Sequence, residues 1–185
     1  TSGPSPAGRW GHSCCLMGNQ MIIYGGMSGP GDLLTDIFSL DLDLRVWRKV
    51  EIDPASPAPR ASHHHAACVI GSSIYVFGGY GGNRNFGALF RLDVSPSFSS
   101  AKWIDLSSIP NTPSARRAHT LIAHGPLLFL FAGRGSMKKL DDLHCFDTLK
   151  GEWRAVDPDG DLPQPRAFHT SVVTPSNQML VFGGL

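Results

Sequence analysis

Histidine is the residue type best placed to do chemistry in this chain. Eight are present, and His63, His64 and His65 are consecutive. On an extended segment His63 and His65 share a face and could together grip a metal ion. No carboxylate lies nearby in sequence, and no metal or other cofactor is expected. The competing reading makes His63 a recurring framework residue with incidental neighbours. The four cysteines are Cys14, Cys15, Cys68 and Cys145, and no Cys-x-x-Cys pair occurs, which argues against a thiolate zinc site. Cys14 and Cys15 would point to opposite faces of a strand, a poor start for a disulfide framework. Reduced thiols, and with them an intracellular setting in cytoplasm or nucleus, are the expectation. Neither a Gly-x-Ser-x-Gly elbow nor a phosphate-binding glycine loop is present. Lys138 and Lys139 and the scattered arginines could suggest a polyanion site. However, 16 Lys and Arg balance 15 Asp and Glu to a net charge of +1, and no nucleic acid is expected. The longest wholly apolar run, residues 127–132, is far short of the ~20 residues that span a membrane.

The elements that must position these side chains come from a repeat. Arg-x-x-His recurs as Arg9/His12, Arg60/His63, Arg116/His119 and Arg166/His169, at spacings of 51, 56 and 50. An apolar run ending in two small residues follows each: IIYGG, IYVFGG, LFLFAG and MLVFGG. The first small residue falls at 25, 78, 132 and 183, spacings of 53, 54 and 51. Tryptophans follow at 47, 103 and 153. Each repeat reads as four strands. The first follows the His, and the second is the apolar run, buried on both faces. The third alternates, as in IFSLDL at 37–42, and the fourth carries the Trp with charges suited to an outer edge. Glycine and proline, 21 and 14 of 185 residues, supply the turns. Four short strands per ~50 residues describe a β-propeller blade.

The pattern resembles the kelch repeat, and the long, proline-rich repeats resemble those of host cell factor and Rab9-effector-type propellers. The residues that carry the likeness are the Pro and Arg ahead of each His (Pro6 and Arg9, Pro59 and Arg60, Pro113 and Arg116, Pro165 and Arg166), the Gly pairs and the later Trp. WD40 repeats fit less well, because the period is longer and no Trp-Asp occurs. The resemblance implies an all-β kelch-type propeller of about three and a half four-stranded antiparallel blades. They form one domain over 1–185, with blades near 6–56, 57–112 and 113–162 and an incomplete one at 163–185. Remaining blades or a second copy would then close the ring. Ala132 departs from the Gly pair, and a different local turn is expected there. Of the catalytic kelch types, the copper oxidase needs tyrosines and a cysteine beside histidines. The iron-dependent specifier needs Glu-x-x-x-Asp-x-x-x-His, but Ala55 and Val156 follow Glu51 and Glu152 by four.

The resemblance therefore implies a non-enzymatic protein–protein interaction module, a scaffold or substrate receptor. The alternative is part of a propeller enzyme or metal-dependent lyase whose catalytic residues lie in other blades. The repeating Arg, Gly and Trp are read as framework. Specificity belongs to the loops that differ between blades. The loops between second and third strands, 27–34, 80–87 and 134–140, carry Arg84, Arg134, Lys138 and Lys139 against Asp32. Tyr80 and Phe86 could anchor an acidic peptide there. Trp47, Trp103 and Trp153 should be buried between blades and Trp10 exposed.

Overall fold

The computed structural model describes residues 1–185, which form β-strands, turns and connections without helix. Blade one contains β1 (Ser13–Met17) and β2 (Gln20–Tyr24), a small hairpin of β3 (Met27–Gly29) and β4 (Asp32–Leu33), then β5 (Ile37–Asp41) and β6 (Val46–Lys49). Blade two contains β7 (Glu51–Ile52), β8 (Ala66–Ile70), β9 (Ser73–Phe77), a hairpin of β10 (Tyr80–Gly81) and β11 (Arg84–Asn85), then β12 (Leu89–Val94) and β13 (Ser100–Asp105). Blade three is β14 (Thr120–His124), β15 (Leu127–Arg134), β16 (Lys139–Asp147) and β17 (Glu152–Val156), and β18 (Thr170–Val173) pairs with β19 (Met179–Phe182). The sheets run β1-β2-β5-β6 and β14-β15-β16-β17, and in blade two β7-β13-β12-β9-β8. All pairings within them are antiparallel except β7, which adds a parallel fifth strand outside β13. The first strands β1, β8, β14 and β18 stand side by side about a common axis.

The segments between second and third strands are not open loops. In blades one and two they close as hairpins β3–β4 and β10–β11. In blade three β15 and β16 simply run on past a bulge, through Gly133 opposite Leu140 to Arg134 opposite Lys139. Gly-rich sequence hides this, because each hairpin is only two or three residues a side.

Two apolar layers fill the spaces between blades. One joins Ile22, Tyr24 and Ile37 to Ile74, Val76, Leu92 and Trp103. The other joins Tyr75, Phe77 and Leu89 to Leu121, Leu130, Phe146 and Trp153. Trp103 is 3% exposed and Trp153 2%. Each leans on an aromatic ring of the blade before it, Trp103 on Tyr24 and Trp153 on Phe77. Trp47 departs from the expected burial and stays partly exposed. The alternation in β5 does not sort inside from outside either. Ser39 and Asp41 are buried while Leu42 is exposed. Gln20 Nε2 donates to Asp41 at 2.8 Å, and the amides of Asp43 and Leu44 donate to the same carboxylate.

The small pair has a conformational reason. Gly25, Gly78 and Gly183 have φ of 62°, 70° and 69°, and Ala132 takes the same left-handed turn at 57°. The turn expected to differ there is the same turn, held by its neighbours at the expense of some strain.

Candidate interaction face

The backbone fixes which residues correspond from blade to blade. Ser62, Arg116 and Arg166 carbonyls each accept the amide of the preceding blade's second small residue, Gly26, Gly79 and Gly133 respectively. The next residues, Trp10, His63 and Arg117, bridge to Met27, Tyr80 and Arg134. The residues after those, Gly11, His64, Ala118 and Phe168, all have positive φ. Gly26, Gly79, Gly133 and Gly184 then lie close against His12, His65, His119 and His169. The framework histidine of blade two is therefore His65, not His63. Its framework arginine is absent, with Ser62 in that place. Arg60 and His63 match the Arg-x-x-His spacing by coincidence, two residues out of phase.

The framework arginines do structural work. Arg9 Nη1 donates to the Gly25 carbonyl at 3.1 Å and to Asp36 Oδ1 at 2.6 Å. Arg116, fully buried, repeats this with Ala132 and Asp142. Arg166 donates to the Gly183 carbonyl. Burial would raise the Asp142 carboxyl, but hydrogen bonds from His144 and Arg116 outweigh it and hold it well below the usual range.

The framework histidines line the axis. His65 Nε2 meets the Ser13 hydroxyl at 3.0 Å, and His169 Nε2 meets Thr120 at 3.0 Å. Each ring reaches the residue after the preceding blade's histidine. For His119 that residue is Ala66, which has no hydroxyl, and both His119 ring nitrogens are buried without a partner. Burial lowers His65 to about 4. Burial, with Arg116 nearby, lowers His119 to about 3.

His63 and His65 do not share a face. The left-handed turn at His64 separates them, sending His65 to the axis and leaving His63 and His64 at its mouth. There the two Nδ1 atoms meet at 2.6 Å, so one must donate and the other accept. Burial, then the charges of His63 and Arg117, lower His64 to about 4. No group of three His, Cys, Asp or Glu side chains is placed to hold a metal ion. Trp10, 47% exposed, packs on both rings, and Phe168, 48% exposed, packs on His64. Sequence reasoning missed this mouth of Trp10, His63, His64, Arg117 and Phe168. The signal was present, since these residues differ between repeats while flanking an invariant histidine.

The mouth runs directly into the hairpins singled out from sequence. Tyr80 lies under the Arg117 guanidinium, 4.2 Å from its ring centre, and against His63. Arg117 also donates to Asn85, whose amide donates to the Arg134 carbonyl. Arg84 stands over Phe86. Arg84, Arg134, Lys138 and Lys139 are exposed, and none of the ion pairs in the structure involves them. Met137 between them is 95% exposed. The six residues expected to form a site thus occupy one face, with Tyr80 partly covered by Arg117.

The profile described as the KLHDC2/KLHL20/DRC7 Kelch-repeats domain matches residues 1–184. The chain belongs to the kelch-repeat family. It is 30% identical over 99% of its length to the leucine-zipper-like transcriptional regulator 1 homolog of Drosophila melanogaster, covering 19% of that protein. It is 29% identical over 97% of its length to an F-box/kelch-repeat protein of Arabidopsis thaliana, covering 41%. To human host cell factor 2 it is 27% identical over 98%, covering 25%. The kelch chain thus spans less than half the length of each of these relatives. Its four cysteines are unpaired, with Cys14 exposed and Cys15 buried on opposite faces of β1, and it has no helix long and apolar enough to cross a membrane.

Proposed function

We propose that this kelch chain is a non-enzymatic docking module, a scaffold or substrate receptor that binds an intracellular protein through the axial mouth and the adjoining hairpins. One observation carries the reading. Residues that repeat between blades are consumed by framework bonds, whereas those that differ converge on one face, where Arg84, Arg134, Lys138 and Lys139 stand without carboxylate partners. His63 and His64 add no charge at neutral pH, since both are lowered, chiefly by burial. An acidic, extended segment is the partner complementary to these unpaired cations. Trp10, Phe86, Met137 and Phe168 offer it apolar footholds.

The test is a triple substitution, Arg84→Glu, Arg134→Glu and Lys138→Glu, in the whole protein. Affinity for its protein partner is expected to fall at least tenfold and to lose most of its salt dependence, with the melting temperature unchanged. Unchanged affinity in a folded variant would remove this face from consideration.

A further inference from the structure

Blade two has lost both halves of the framework ion pair. Ser62 stands where blades one and three have Arg9 and Arg116, and Ala88, immediately before β12, stands where they have Asp36 and Asp142. The surroundings of the missing guanidinium remain. The Gly78 carbonyl corresponds to the Gly25, Ala132 and Gly183 carbonyls that each accept from an arginine, and it receives no donor. In blade one the Arg9 guanidinium lies 5.6 Å from the centre of the Phe38 ring. Phe90 is the corresponding residue of blade two, since Phe38 pairs with Ile23 as Phe90 pairs with Val76, and no cation lies over it. Instead there is a cleft of about 550 Å³ whose lining includes Tyr24, Arg60, Ser62, Gly78, Phe90 and Asp105, within the size range of small-ligand sites. Asp105, the cross-strand partner of Phe90, also lines the cleft; one of its carboxylate oxygens accepts the Ser107 amide and the other is left for a ligand. Arg60, also at the cleft, is exposed and makes no side-chain hydrogen bond or ion pair.

We infer that this cleft is a receptor for an arginine side chain presented by the docked protein, which restores in trans the contacts that blades one and three make in cis. The guanidinium stacks on Phe90, donates to the Gly78 carbonyl and pairs with Asp105. Ser62 leaves the room that an arginine would fill. The cleft opens between residues 58–62 and 86–88, beside the hairpin that carries Arg84 and Phe86. The inference thus refines the docking reading by naming one side chain of the partner.

A small probe separates it from that reading. N-acetyl-arginine N-methylamide, titrated into the whole protein and followed through the backbone amide signals of Ser62, Gly78 and Phe90, should give saturable shifts. The citrulline analogue, equal in shape but uncharged, should bind at least tenfold more weakly. The double substitution Ser62→Arg with Ala88→Asp rebuilds the pair of the neighbouring blades. It should abolish probe binding while melting no lower than the parent. Phe90→Leu, which removes the ring but keeps an apolar side chain at that strand position, should weaken binding in a folded protein. Equal binding of arginine and citrulline, or no binding by the parent, would overturn the inference. Binding that emerges only in Arg60→Ala would also overturn it, by showing that the chain's own Arg60 fills the cleft. The Arg84, Arg134 and Lys138 substitutions should leave probe binding unchanged.

Discussion

His119 shows how one side chain on a neighbouring blade decides the state of another. Its counterparts His65 and His169 reach the hydroxyls of Ser13 and Thr120, whereas His119 faces Ala66 and has neither nitrogen bonded. A buried polar group without a partner is destabilising, and supplying one recovers about 1 kcal/mol. Ala66→Ser is therefore expected to raise the melting temperature, and a variant no more stable than the parent would show that the hydroxyl does not reach the ring. The same histidines make the fold acid-sensitive. His65 and His119 are held neutral when folded, at about 4 and about 3 against 6.5, so below pH 6.5 the unfolded chain takes up protons that the folded chain refuses. Stability should be fully present above pH 6.5. It should fall by as much as about 1.4 kcal/mol per pH unit per group down to the folded values. Urea midpoints at pH 7.5, 5.5 and 4.5 would show the decline, and a flat profile would contradict it. The sequence made the axial histidines visible as a repeat but placed one of them wrongly. The clue was numerical. The Arg-x-x-His spacings of 51 and 56 disagree with the 53 and 54 of the small pairs, whereas His12, His65 and His119 are spaced 53 and 54. The residues that crowd the axial mouth were marked in sequence only by differing from repeat to repeat, and their convergence there depends on the left-handed turn at His64.

Among the elements, the fourth strand of each blade is pinned by its tryptophan to the blade before it. Trp103→Ala removes a nearly fully buried ring from between Tyr24 and Phe90 and should cost about 3–5 kcal/mol. Trp47→Ala, at a partly exposed ring, should cost clearly less, and equal losses in denaturant titration would refute the between-blade packing. Asp142→Ala leaves the fully buried Arg116 charge without its carboxylate, though still bonded to Ala132 and Ser114, and, with Asp142 itself partly exposed, should cost about 1–3 kcal/mol. Four strands per repeat were legible because each apolar run has a strict period and a turn after it. The hairpins β3–β4 and β10–β11 were not, since two glycine-flanked residues carry no period. The burial of Ser39 and Asp41 was not legible either, because they share with Ile37 the face of β5 that packs against blade two, which the alternation alone assigns to solvent.

At the scale of the whole molecule, the turns between first and second strands and between third and fourth strands emerge at one end. The hairpins and the axial mouth lie at the other. The first set, near Gly18, Gly71, Gly125 and Gly151, is short and alike from blade to blade, and the second set is long and different in each. On the proposed function, it is the second end that docks a protein. Hydrogen exchange of the whole protein with and without its partner tests this most directly. Protection is predicted at residues 10–12, 62–65, 80–87, 117–118, 134–140 and 167–169. Protection confined to the turns near residues 18, 43–45, 71–72, 125–126 and 148–151 would contradict it.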